Sequence, residues 1–315
     1  MTLYTVSGKV ITLSASPLAP ASGEGTVYKI INTLAYPNHC AKIYHLDKRT
    51  PQRKNKLQYL VTNRPPNFSG NHYSFCWPVE ILFNGSGDFL GFIMPLATPE
   101  SEKAFELSIL KSKRLLSSWQ KFDRDIQGSF KNRVKVCINI AIAIHSLHAH
   151  KKFTVIDLKP QNILLNIEGH ISIIDVDSFQ VYSDTGILHH ADVLTLEYVP
   201  IEYYSLTHPL TKANEYWDRF ALAVSFYEIL LGIHPYTSTC KDSIVAPTIY
   251  EKIENGLFVH GQKKDSILTI APPHKKYNSL PPSLKSLFSR AFNNDNPSGR
   301  PSAEEWGKTL FDALN

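Results

Sequence analysis

Cysteine is scarce and scattered in this chain. The four cysteines, Cys40, Cys76, Cys137 and Cys240, form no C-x-x-C pair, so neither a zinc site nor a disulfide framework is indicated, and all four are expected to be reduced and mostly buried. Long apolar runs are lacking too. The longest, Val134 to Leu147 and Phe220 to Ile233, reach about 14 residues and carry Asn139 and Glu228, short of the roughly 20 that a membrane span needs. The N-terminus shows no basic stretch followed by an apolar core, so no signal peptide is apparent and a cytoplasmic protein without a membrane partner is expected. There are no internal repeats and no low-complexity tracts. Charge excess is small: 33 Lys and Arg against 28 Asp and Glu leave +5, and no nucleic-acid partner is expected. The sharpest local deficit is of acid. Residues 48 to 62 contain no Asp or Glu, while Lys48, Arg49, Arg53, Lys54 and Lys56 crowd the same stretch. What remains is an ordinary globular composition, 43% hydrophobic and 19% charged over 315 residues, enough for one large or two small domains.

The segment from Asp157 to Asp175, DLKPQNILLNIEGHISIID, carries the most chemistry. Ile163 to Asn166 and Ile171 to Asp175 read as strands joined by turn residues Glu168-Gly169. If Asn166 pairs with Ile171, Asn162 falls opposite Asp175 at about 5 Å. An Asp and an Asn at that spacing suit Mg²⁺, which is held by one or two carboxylates together with phosphate oxygens and water. Asp157 and Lys159 precede the hairpin on the same rim.

D-L-x-x-x-N followed by a strand hairpin ending in Asp matches the catalytic loop and metal segment of protein kinases. The chain resembles the eukaryotic-like Ser/Thr protein kinase superfamily, and more narrowly the bacterial kinases with an Asp-x-Asp-Ser-Phe-Gln segment, here Asp175 to Gln180. The resemblance implies an α+β, two-lobed fold with a β-rich lobe over residues 1–95, a hinge near 95–97 and a helical lobe over 96–315. It also implies ATP and Mg²⁺ as cofactors and a protein substrate. Asp157 would orient the acceptor hydroxyl, Lys159 would offset charge on the γ-phosphoryl, and Asn162 and Asp175 would hold Mg²⁺. Gly25 and Val27 match the end of the nucleotide-covering loop G-x-G-x-x-G-x-V, with Ser22 and Gly23 beside them, and Lys42 matches the lysine that contacts the α- and β-phosphates. Met94 and Leu96 border the hinge where the adenine would bind through backbone groups.

Further along, Thr195 to Glu202, TLEYVPIE, resembles the end of an activation segment. Asp218 opens a long buried helix, and Arg300 in DNPSGRP resembles the arginine that pairs with the segment glutamate, here Glu202. A buried helix through Val134, Cys137, Ile138, Ala141, Ile142, Ile144, His145 and Leu147 should feed the catalytic loop. Histidines 145, 148 and 150 lack the carboxylate or cysteine that would complete a metal set.

Several departures stand out. The basic stretch 48–62, which reads as a helix capped by Thr50-Pro51, lacks the glutamate that pairs with the strand lysine in the family; Asp175 and Glu80 are the acids expected to serve instead. Its cations suit either solvent or an acidic partner. Pro20 and Ser22 replace loop glycines. Val155 and Ile156 replace the His-Arg before the catalytic aspartate, so a phosphorylated Ser183, Thr185 or Thr195 has no evident cation to receive it. Val176 and Asp177 replace Phe-Gly. The chain therefore reads as an active kinase, with a pseudokinase, a nucleotide-binding scaffold docking through the basic helix, as the alternative. Transfer to small molecules is disfavoured by the peptide-positioning look of Thr195 to Glu202. The Asp-x-Asp-Ser-Phe-Gln resemblance further implies a von Willebrand A-type protein and a metal-dependent phosphatase as partners.

Overall fold

The computed structural model describes residues 2–31, 34–66, 69–109, 117–293 and 296–314; Asp295 of the DNPSGRP segment lies outside them. The chain divides into two compact units: Met1–Ser69, Ser74–Pro99 and Ile173–Asp177 form the first, and Gly70–Tyr73, Glu100–Ser172 and Ser178–Asn315 the second. The first unit thus runs past residue 95 and also takes in the Asp-x-Asp segment.

The first unit is a closed barrel. Strands β1 (Thr2–Thr5), β2 (Val10–Pro17), β3 (Gly25–Ile30) and β4 (His39–Tyr44) are followed by helix α1 (Pro51–Thr62), β5 (Tyr73–Phe75, whose first residue belongs to the second unit), β6 (Glu80–Phe83) and β7 (Phe89–Pro95). Around the barrel the order is β1-β2-β3-β4-β7-β6, and β1 closes it by pairing with both β2 (Leu3↔Ile11) and β6 (Tyr4↔Phe83). Its interior is aliphatic, with Leu3, Ile11, Ile30, Ala41, Leu82 and Ile93 buried, as the period-two alternation of such strands requires. Two glycines permit close strand approach: a Cβ on Gly25 would lie 2.4 Å from the Ile43 carbonyl oxygen, and one on Gly91 would lie 1.9 Å from that of Lys42. Helix α1 starts where Thr50 accepts a hydrogen bond from Arg53 N and Pro51 takes the first position. It buries Leu57 and Leu60.

The second unit is mostly helical. It contains β8 (Glu102–Lys103), α2 (Ser129–Ala149), β9 (Phe153–Thr154), β10 (Ile163–Leu165), β11 (Ile171–Ile173, whose last residue belongs to the first unit), β12 (Gln180–Ser183), β13 (Gly186–His189) and α3 (Glu215–Leu231). Smaller elements follow, β14 (Ser238–Cys240), α4 (Ile249–Glu254) and β15 (Ile267–Ile270), then α5 (Pro282–Asn293) and α6 (Ala303–Asp312). Helix α3 is apolar nearly all round and accordingly buried; Asn214 caps its start, and Gly232, at φ 75°, ends it in the left-handed region. Helix α2 buries Val134, Cys137, Ala141, Ile144 and Leu147, but Ile142 is 43% exposed and His145 is exposed as well, so its buried stripe is narrower than the apolar run suggests. No described helix is long and apolar enough to cross a membrane. Cys40, Cys76 and Cys137 are buried, and all four cysteines are free thiols. Burial pushes the Cys40 thiol up to about 12.

Candidate active site

In the first unit the site is built on neighbouring strands β3 and β4, which pair Val27 with Lys42 and Gly25 with Tyr44. Lys42 and Tyr44 are two residues apart and share a face of β4. Lys42 is 2% exposed, and a buried ammonium must be paired. Its Nζ lies 3.0 and 2.9 Å from the two carboxylate oxygens of Asp177, 3.1 Å from Asp175 Oδ1 and 3.6 Å from Glu24 Oε2. The Tyr44 hydroxyl donates to Asp177 Oδ2 at 2.6 Å. Burial alone would lower the Lys42 pKa, but Asp177, Asp175 and Glu24 together raise it above the ordinary lysine value. Asp177 is the converse case: burial would raise its carboxyl, and Lys42, with the Tyr44 hydroxyl, holds it below the usual range.

Asp177 was therefore the missed residue. The loss of an acid from 48–62 was legible, and so was the need for a replacement. Glu80, one of the two expected replacements, does not reach Lys42; its carboxylate accepts from Ile81 N at 3.1 Å. Asp175 contributes, at φ 58°, but the nearest and most buried carboxylate stands two residues further on.

Several cations of the basic stretch turn inward. Arg53 Nη2 lies 2.7 Å from Glu24 Oε1, and its guanidinium stacks 4.8 Å from the Tyr44 ring centre. Arg49 donates to the Tyr44 carbonyl at 3.0 Å, Lys54 lies over the Phe83 ring, and Lys56 is 3% exposed. Of the cations read as a docking face, Arg49, Arg53 and Lys56 have internal partners or are buried, while Lys54 is exposed and Lys48 pairs with Asp47.

The loop before β3 is pinned. Ser22 N and Oγ both donate to the Gly25 carbonyl, at 2.9 and 3.0 Å, His45 N donates to the Glu24 carbonyl at 2.9 Å, and the His45 ring lies 2.8 Å from the Ser22 carbonyl. Gly23 is exposed at its tip. At the other end of the barrel Met94 pairs with Cys40 across β4 and β7. Leu96 N donates to the Asn38 carbonyl at 2.8 Å, so that backbone donor is already used within the unit and is not left for an adenine ring.

In the second unit Asp157, Lys159 and Thr195 close a triangle. Thr195 Oγ1 donates to Asp157 Oδ1 at 2.6 Å and accepts from Lys159 Nζ at 2.6 Å, and Lys159 Nζ lies 2.7 Å from Asp157 Oδ2. Asn162 directs its amide Nδ2 to the Asp157 carbonyl oxygen and Oδ2, at 3.0 and 3.1 Å. Thr195, read from sequence as a loop phosphorylation position, instead belongs to this cluster. The hairpin after Asn162 closes with Asn166 N donating to the His170 carbonyl at 3.0 Å, one residue short of the expected Asn166–Ile171 pairing.

Asp157 is aimed by a strained turn. Ile156 has φ 62° and Asp157 N donates to the Val155 carbonyl at 2.7 Å, a γ-turn of the rare positive-φ kind that a β-branched residue adopts only under constraint. The constraint is Asp218, fully buried at the start of α3: its two oxygens accept from Val155 N and Ile156 N at 2.8 Å each, and His148 Nε2 completes the set at 2.9 Å. His148, set aside from sequence as a weak metal candidate, is thus a structural partner of Asp218. No described group of His, Cys, Asp and Glu could hold a metal by itself.

Ile156 packs into an apolar cluster with Ala191, Val199, Ala213 and Trp217. Above it, Gln180 donates to the Ala213 carbonyl at 2.9 Å and to Tyr182 Oη at 2.7 Å, and its Oε1 accepts from Ala191 N at 3.4 Å. Tyr182 Oη also donates to Ala213 O at 2.8 Å. Gln180 and Tyr182 thus hold this stretch through neutral groups. Arg300 meets both oxygens of Glu202 at 2.6 Å in a bidentate pair, with Arg300 2% exposed.

The comparisons agree with this architecture. The protein kinase domain family matches residues 109–311, and the chain belongs to that family. It is 33% identical over 122 residues to rabbit serine/threonine-protein kinase 17A, covering 38% of this chain and 29% of that protein. It is 24% identical over 171 residues to a probable serine/threonine-protein kinase of Clostridium perfringens, covering 54% of this chain and 22% of that one. To human 3-phosphoinositide-dependent protein kinase 1 it is 29% identical over 220 residues, 68% of this chain and 35% of that protein. The chain thus spans well under half of each of these relatives. Among solved structures, the ROP18 kinase domain in complex with AMP-PNP and sucrose superposes with a TM-score of 0.65 at 15% identity, covering 99% of this chain and 84% of that one.

Proposed function

We propose that the protein transfers the γ-phosphoryl group of ATP, as its Mg²⁺ complex, to a Ser or Thr hydroxyl of a protein substrate. The triangle of Asp157, Lys159 and Thr195 carries the reading: a carboxylate and an ammonium already hold a threonine hydroxyl at 2.6 Å on either side. A substrate hydroxyl placed beside Thr195 meets Asp157 as the group that orients it and accepts its proton, and Lys159 as the cation that offsets charge on the transferring phosphoryl. Lys42 positions the α- and β-phosphates, and Asp177 with Tyr44 fixes Lys42.

Asn162 in the second unit and Asp175 in the first each offer an oxygen of the kind that magnesium takes. Asn162 spends its amide nitrogen on Asp157, which orients its carbonyl oxygen as a hard ligand, and Asp175 presents a carboxylate whose side chain is 40% exposed. Mg²⁺ taken by such donors would neutralise charge on the phosphate oxygens. Around the nucleotide, Gly25, Val27, Met94 and Leu96 supply the walls, with Ser22 and Gly23 in the covering loop. The proposed partners, a von Willebrand A-type protein and a metal-dependent phosphatase, rest on the Asp175 to Gln180 segment alone.

The test is incubation with labelled ATP and Mg²⁺. Phosphate should transfer to the chain itself or to a generic protein acceptor, and Asp157→Asn should lower the rate at least about a hundredfold, the scale of a lost general base. Equal labelling of both proteins would reject the assignment.

A further inference from the structure

We propose that Arg53 is a positioning residue that keeps the Glu24 carboxylate off the phosphate-binding face of Lys42. The inference rests on the nucleotide-site reading of Lys42 and deepens it. Glu24 bridges two cations unequally: Oε1 lies 2.7 Å from Arg53 Nη2, and Oε2 3.6 Å from Lys42 Nζ. The ammonium has three protons to donate, and Asp177 and Asp175 oxygens already lie at 2.9 to 3.1 Å from it. Glu24 is thus held at the margin of the Lys42 site, close enough to compete with an anion and restrained by Arg53 from doing so.

The restraint has a built geometry. Glu24 cannot withdraw with its loop, because His45 N and the Ser22 bonds fix the backbone on either side. Arg53 is itself fixed: its side chain is 10% exposed, it stacks on Tyr44, and it stands in the first turn of α1. With Arg53 made neutral, Lys42 is the remaining cation within ion-pair distance of Glu24 among the described residues. The carboxylate then closes onto Lys42 and repels the α- and β-phosphates. The basic helix therefore acts on the nucleotide through a cation, where a carboxylate on the helix would have acted on Lys42 directly.

The claim predicts suppression, which a merely structural ion pair would not show. MgATP affinity would be measured by calorimetry, alongside KM and kcat, for the wild type, Arg53→Met, Arg53→Lys, Glu24→Gln and the Arg53→Met/Glu24→Gln double variant. Arg53→Met should weaken MgATP binding and raise KM by about tenfold with kcat nearly unchanged, a loss of binding common to ground and transition states. Arg53→Lys should stay near the wild type, and the double variant should return to within about twofold of Glu24→Gln. A double variant as weak as Arg53→Met would overturn the proposal. Should Arg53→Met fail to fold, Glu24→Gln alone decides: it should bind MgATP at least as tightly as the wild type, and weaker binding overturns the inference. A wild type that binds no MgATP would instead reject the nucleotide-site reading, and this inference with it.

Discussion

Around Lys42, the carboxylate absent from α1 is replaced by other carboxylates, whereas at the Ile156 side chain an apolar cluster stands where a phosphorylated segment would need a cation. The first region gathers Asp177, Asp175, Glu24 and Arg53 about one ammonium. The second fastens its segment with the Gln180 amide, the Tyr182 hydroxyl and an apolar cluster. The difference follows from what each region must do. The Lys42 ammonium is buried, and a buried charge demands compensating charge. The segment near Gln180 only has to stay in place, and neutral hydrogen bonds with apolar contacts achieve that without a modification to switch them on.

The contrast can be broken most directly at Asp177. Asp177→Ala leaves the buried Lys42 ammonium with its nearest carboxylate gone and is expected to cost about 3 kcal/mol or more, measured by denaturant unfolding, with loss of the MgATP-induced rise in Tm. A destabilisation no larger than that of a Gln180 substitution would erase the distinction.

Phosphorylation tests the neutral side. Ser183 and Thr185 sit at the exposed tip of the β12–β13 turn and bond to each other at 3.0 Å, so changing both to Ala should leave turnover within about twofold, well under the 1.4 kcal/mol that a tenfold change represents. Thr195→Ala should lower turnover by about tenfold or more because it opens the triangle with Asp157 and Lys159, and Thr195→Ser should restore it. A comparable loss from both sets would mean that the loop depends on modification after all.

Gln180→Ala sharpens the comparison at a smaller scale. It leaves the buried Ala213 carbonyl short of one donor while Tyr182 still serves it, and is expected to cost about 1 to 2 kcal/mol, in the range of a neutral hydrogen bond with partial desolvation.

A further test is a pH dependence. Tyr198 donates to Glu228 Oε2 at 2.7 Å; burial nevertheless pushes the Glu228 carboxyl up to about 8. The folded state therefore holds this proton more tightly than the unfolded chain, whose glutamate titrates near 4.3. The stabilisation is complete below that value and is lost as pH rises toward 8. Burial holds His234 down at about 4, which works with the opposite sign, but it is common to wild type and variant. The difference in unfolding free energy between Glu228→Gln and wild type should accordingly be flat in acid and grow in favour of the variant up to about pH 8; a flat difference throughout would place Glu228 as ionised in the fold.

Much of this was legible in the sequence because it is written in local patterns. The Thr50-Pro51 start of α1, the strands on either side of Gly85 to Asp88, and the buried run of α3 all follow from capping and periodicity. The partners that stood in for absent groups were not. In the sequence Asp177 stands out only as a replacement for glycine, although the deficit of acid in 48–62 already requires a carboxylate near Lys42 from elsewhere. His148 lies seven residues before Val155, on another element, and its tie to Asp218 depends on how α2 and α3 pack, which no single segment encodes. Gln180 carried a faint signal: a lone amide between Phe179 and Val181, in a run that otherwise reads as a buried strand.

The pairing of β1 with both β2 and β6 has a consequence for how the chain folds and what it avoids. The ring has no free strand edge, so no row of unpaired amides is offered to another chain. Closure joins Tyr4 to Phe83, a contact of long sequence separation that slows folding relative to a helical unit. Removing residues 2–9 would expose the β2 and β6 edges together, and the first sign of the loss should be self-association through those strands, visible by light scattering before any change in helical content.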